Sequence, residues 1–117
     1  MLDGCRGHLV AIGLTLWLCA VPAGAGVELA SPRERELVRL VRQDCGACHG
    51  MTLAGGLGPS LLPAALRDRP AEALVQTIIH GRPGTPMPPW GPFLSESEAR
   101  WIVERLLVGF PTEGQAR

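Results

Sequence analysis

A chain of 117 residues has room for one domain, and its 11 basic and 11 acidic side chains cancel to a formal charge of zero. That balance excludes a polyanion-binding surface, so no nucleic-acid partner is expected. Every basic residue is Arg, and beyond residue 30 the aromatic residues are Trp90, Phe93, Trp101 and Phe110 alone, so a core of this size needs a staple from another source.

Residues 1–25 read as a secretory signal peptide. Arg6 gives a thin basic start, Leu9 to Val21 form the apolar run, Pro22 breaks it, and Ala23-Gly24-Ala25 offers a small-x-small cleavage pattern. An uncleaved anchor is the alternative, but the run is shorter than the roughly 20 apolar residues a spanning helix needs. Leu18 before Cys19 is too large for a lipoprotein signal. Cleavage near Ala25 removes Cys5 and Cys19, leaves Cys45 and Cys48 as the mature thiols, and places the protein in the periplasm without a stable membrane anchor.

Residues 26–30 read as a flexible lead. Ser31-Pro32-Arg33-Glu34 starts a helix, with Ser31 as cap, Pro32 at the first helical position and Glu34 as capping-box partner. Leu37, Val38, Leu40 and Val41 give it an apolar face at helical spacing, and it is expected to run to about Gln43.

Next comes Asp44-Cys-Gly-Ala-Cys-His-Gly50. Two cysteines separated by two residues and followed at once by His form the attachment signature of one covalent haem c. Cys45 and Cys48 supply thiols for the two vinyl groups, and His49 reaches the iron. Structural zinc wants four ligands, and a redox Cys-x-x-Cys wants a βαβ setting; neither context is present.

From Gly50 to Pro63 the chain is uncharged and rich in Gly and Leu, which suits backbone packed closely on a flat group rather than a solvated linker. A short helical turn is expected at 63–66. Pro70 opens a second helix with Leu74, Val75, Ile78 and Ile79 as its buried stripe and Gly81 as a left-handed cap. His80 in its last turn is a weak candidate ligand; the helix C-terminus is its simpler explanation.

Arg82 to Phe93 holds five prolines around a single thioether, Met87. So stiff a loop presents a weak ligand at small entropic cost, and Met87 is the expected sixth ligand. Met51, two residues from His49, belongs to the same side of the ring. A third helix follows, with Ser95 and Glu98 as capping box, Ala99, Ile102, Val103, Leu106 and Leu107 inward, and Trp101 beside them on the first helix. Gly109 and Pro111 end it, and 111–117 reads as a loose tail.

The residues from Ser31 to Phe110 resemble the class I c-type cytochromes. The resemblance rests on the helix entering Cys45-x-x-Cys48-His49, on Gly58-Pro59-Ser60-Leu61, on Pro86-Met87-Pro88, and on an amphipathic last helix. Within that family, the proline loop is similar to that of the small periplasmic cytochromes encoded beside cytochrome cd-type nitrite reductase. The resemblance implies an all-α fold, three main helices and loops around one haem. It implies that the Pro59 carbonyl fixes the His49 ring and that Leu61 and Trp90 pack in the haem pocket. It implies a monomeric one-electron carrier, not an enzyme, serving redox partner proteins such as a nitrite reductase in denitrification. Two other readings stay open: an accessory role in maturing a haem d-type cofactor, and a haem-based sensor in which Met87 dissociates. Arg42 and Arg82 are expected to flank the haem edge.

Overall fold

Two reciprocal caps begin the first and last helices of the computed structural model, which describes residues 30–117; the expected signal peptide and the lead up to residue 29 lie outside the described residues. Ser31 starts α1 (Pro32–Leu40): its hydroxyl accepts the Glu34 amide while the Glu34 carboxylate accepts the Ser31 amide. Ser95 and Glu98 do the same for α5 (Glu96–Val108).

The first helix does not stop near Gln43. It passes through one π-helical turn (Val41–Cys45), in which the Gly46 amide reaches back to Val41, and continues as α2 (Gly46–His49). The attachment motif is thus the end of the helix. The chain meets no helix breaker until Gly50, whose φ of +87° ends it. A short α3 (Pro63–Leu66) and α4 (Ala71–His80) lie where expected. Gly81 ends α4 with the positive φ expected of it, +68°, but its ψ of −166° puts it in a region open only to glycine rather than in the left-handed helical one. No strand occurs among the described residues.

α4 packs along α5, and α3 touches α5 as well. Leu37 and Val41 from the first helix meet Leu53, Leu66, Leu94, Ile102 and Leu106 in one cluster; Val75, Ala99 and Val103 form a second between α4 and α5. Each side chain so enclosed contributes about 1.5–3 kcal/mol relative to exposure. The expected stripes of the first and last helices are largely buried, whereas α4 buries Val75 alone and packs Leu74, Ile78 and Ile79 half-buried against the two clusters.

α1 and α5 are cross-linked at their N-terminal ends by the capping residues themselves. Glu34 spends one oxygen on its own cap and offers the other to Trp101 Nε1 at 3.0 Å. Glu98 does the converse, receiving Arg33 Nε at 2.5 Å. Residues 111–117, expected to be loose, fold back over α1 in a turn: Ala116 is buried, Gln43 bonds Glu113 at 3.1 Å, and the Gln115 side chain accepts from Thr112.

The bond from Arg33, with those from Ser95, holds the Glu98 carboxyl well below its usual range of 4.5, at about 2. A depressed carboxyl stabilises the fold fully above its unfolded pKa and loses that contribution as pH falls through its folded pKa. Thermal unfolding of Glu98→Gln should therefore show a smaller loss of stability between pH of about 4.5 and about 2 than the parent does. Ser95→Ala should cost about 1 kcal/mol, read as a fall in Tm of roughly 4–8 °C.

Candidate functional site

The carbonyl end of α2 explains how the site is built. Its last carbonyls have no further turn to bond, and the loop after Gly50 returns to satisfy them: the Gly58 amide donates to the Cys48 carbonyl at 2.7 Å and the Gly55 amide to the His49 carbonyl at 2.8 Å. Leu53 anchors that loop. It takes a positive φ of 62°, costly for a leucine, and is only 1% exposed, so its burial offsets the backbone strain.

The returned loop sets the Pro59 carbonyl 2.7 Å from Nδ1 of His49. A carbonyl only accepts, so Nδ1 carries the proton and Nε2 keeps its lone pair free. That arrangement orients an imidazole for a metal and raises its basicity as a ligand. Gly58 lies flat against the same ring: a Cβ there would sit 2.8 Å from Cε1 and Nδ1. The close approach expected of the glycine-rich stretch is therefore, at this residue, onto the imidazole.

Cys45 is half-buried against the main cluster, where Leu61 and Trp90 also pack; Cys48 is exposed one helical turn on. Burial, with the Asp44 carboxylate adding to it, pushes the Cys45 thiol up to about 11, so as a free group it stays protonated near neutral pH. The structure thus brings Cys45, Leu61 and Trp90 to one apolar cluster and joins His49 to Pro59. Two thiols, an imidazole with its outer nitrogen fixed, and neighbouring apolar side chains fit a covalently held haem.

Met87 is carried by a different element built on the same plan. The carbonyls ending α4 accept from the loop that follows: Trp90 donates to Ile78 and Gly91 to Ile79, each at 3.0 Å. The Arg82 amide closes the loop onto the Met87 carbonyl at 3.2 Å, and the Thr85 hydroxyl donates back to the Arg82 carbonyl at 2.7 Å. Met87 itself is half-buried. Gly81 makes the turn possible, since a Cβ there would meet the Met87 and Pro88 backbone at 2.7 and 2.6 Å. The sequence marks Gly81 as a helix end, and its contact with the methionine loop is visible only in space. His80 is exposed.

No Asp, Glu or Arg lies between Asp44 and Arg67, or between Arg82 and Glu96. Arg82 is therefore the one charged side chain in the two loops of the site, which expose Leu57 at 94% and Phe93 at 68%. Arg42, expected to flank the haem edge, donates its guanidinium to the main-chain carbonyls of Phe110 and Pro111. Arg82 is exposed.

The family described as cytochrome c oxidase, cbb3-type, subunit III, matches residues 32–104. Cytochrome c55X of Pseudomonas aeruginosa is 50% identical over 100 residues, which cover 86% of this chain and 83% of that protein. The solved structure of the c-type cytochrome NirC superposes with a TM-score of 0.65 and 56% identity, covering 66% of this chain and 91% of that one. The dihydro-heme d1 dehydrogenase of Pseudomonas aeruginosa is 42% identical over 88 residues, which cover 74% of this chain and 18% of the enzyme.

Gly58→Ala must push the His49 ring from the Pro59 carbonyl, because the added Cβ meets ring atoms well inside contact distance. In protein expressed with haem, part of the low-spin absorption should convert to high-spin. An unchanged spectrum would show that the ring is not held by this loop.

Proposed function

The chain belongs to the class I c-type cytochromes, and from that premise we propose that it is a periplasmic electron carrier whose iron is gripped by His49 and Met87. It is a monohaem electron-transfer protein with a covalently bound haem c, not an enzyme. In the proposed site Cys45 and Cys48 form the two thioether links. His49 Nε2 and the Met87 sulfur would hold the haem iron, and Pro59, Leu61 and Trp90 would complete the pocket. The observation that carries this reading is the bond between His49 Nδ1 and the Pro59 carbonyl.

When bound, the haem supplies reversible exchange of one electron between ferrous and ferric iron. The protein's part is to keep that exchange cheap. Pro59 holds the imidazole in one tautomer, so it does not rotate when the charge changes. The bonds from Trp90, Gly91 and Arg82 hold the methionine loop, so the thioether is presented without ordering a flexible segment. A thioether opposite an imidazole favours the reduced state and raises the potential. With both axial positions taken, no site remains open for substrate.

A largely uncharged, apolar face fits a brief encounter with a redox partner, and we place a nitrite reductase of denitrification first among such partners. No helix among the described residues is long and apolar enough to cross a membrane. Action as a monomer in the periplasm completes the proposal. One observation favours a second reading. A domain like this chain forms part of a dihydro-heme d1 dehydrogenase, which supports service to the enzymes that mature a d-type haem.

Met87→Ala should lower the midpoint potential and let carbon monoxide bind the reduced protein; if neither property moves, Met87 is not the ligand. Electron exchange with the partner should vary little with ionic strength, since Arg82 is the one charged side chain in the two loops of the site. A steep salt dependence in stopped-flow mixing would place docking on another face. A deletion strain separates the two readings: a nitrite reductase purified from it with its d-type haem intact, yet starved of electrons, supports the carrier, and one lacking that haem supports maturation.

A further inference from the structure

Arg42 lies three residues before Cys45, in the π-helical turn, and it is half-buried. Its Nε donates to the Pro111 carbonyl at 2.9 Å and its Nη2 to the Phe110 carbonyl. Its guanidinium also sits 5.7 Å above the Phe110 ring. That ring meets Trp101 edge-on at 6.2 Å, and the far face of the stack is closed by Arg105, 5.4 Å from the Trp101 ring. Two aromatic rings in edge contact, each with a guanidinium over it, thus link α5 to the turn that carries the first attachment cysteine.

We propose that Arg42 is a positioning residue for the haem: its fork to Phe110 and Pro111 fixes the turn before Cys45, and so the direction in which Cys45, Cys48 and His49 face. The proposal rests on the reading of those three residues as the attachment set. A π-helical turn is rare, is seen mostly as a single turn inside an α-helix, and falls frequently at functional sites. The carbonyls of Phe110 and Pro111 lie just beyond α5, in a segment whose proline offers no amide of its own. A rigid guanidinium joins the turn to that segment by a fork, which a lysine's single ammonium on a flexible stem cannot match.

The test uses full-length, haem-loaded protein and compares the parent with Arg42→Gln, Arg42→Lys and Gln43→Ala, reading covalent haem per chain and midpoint potential. Loosening the turn lets water reach the haem edge and favours the more highly charged ferric state. Arg42→Gln and Arg42→Lys should therefore both lower the potential and the haem content. Gln43→Ala, which removes the neighbouring exposed bond to Glu113, should match the parent. A shift in Arg42→Gln without one in Arg42→Lys is an effect of charge and overturns the proposal, as does no shift in either. If Arg42→Gln yields no loaded protein, Arg42→Lys decides by the same criterion. A parent protein free of covalent haem would instead refute the attachment reading beneath the proposal.

Discussion

Four main-chain carbonyls decide the architecture of this protein: those of Cys48 and His49 at the end of one helix, and those of Ile78 and Ile79 at the end of another. A helix leaves its last carbonyls without partners, and burying them unpaired is costly. Here each pair is met by the loop that follows, Gly55 and Gly58 in one case and Trp90 and Gly91 in the other. Closing the first loop delivers the Pro59 carbonyl to His49. Closing the second fixes the segment that carries Met87. Two candidate ligands from distant parts of the chain are thus held by the same local necessity.

The frame around those loops is tied by side chains that serve twice. Glu34 and Glu98 each cap their own helix with one oxygen and reach the opposite helix with the other. A lone surface ion pair contributes little, because solvent screens it. A carboxylate already fixed by a cap has lost its rotamer freedom, so the second bond costs less to order. The same economy appears in Arg42, which grips two carbonyls and lies on an aromatic ring. Those bonds to neutral carbonyls leave its charge intact but fix where it sits, and the two loops of the site remain the proposed face for electron exchange.

That face distinguishes charge from position. The chain has 11 arginines, and of these only Arg82 lies in a loop of the site. Encounter through a nearly uncharged surface gives up electrostatic steering and depends on apolar contact. A domain of the same kind occurs within a larger dehydrogenase, of which this chain matches 18%. In such a fused arrangement diffusional encounter is unnecessary, whereas a free carrier must find its partner and leave it.

Much of the fold was legible in the sequence because its signals are local. The capping boxes at Ser31 and Ser95, the apolar stripes of three helices, the short turn at Pro63 and the motif at Cys45 each depend on residues within a few positions of one another. Placement of Trp101 on the first helix could also be read, since it falls just beside the stripe of its own helix. The reach of the first helix through His49 could not. Gly46 and the cysteines are weak helix formers, and their helical state is held by the loop that caps them.

What the sequence determined by itself, then, was the identity of the chemistry: two thiols and an imidazole at a spacing that one helical turn imposes, and a thioether set among prolines. Tertiary structure alone decided how those groups are held. The tautomer of His49 depends on a carbonyl ten residues away, the role of Arg42 on carbonyls 68 and 69 residues away, and the order of the C-terminal tail on Gln43. Spacing along a helix is fixed by backbone geometry and can be counted. A hydrogen bond between segments far apart in the chain exists only once packing has brought them together, and no local pattern records it.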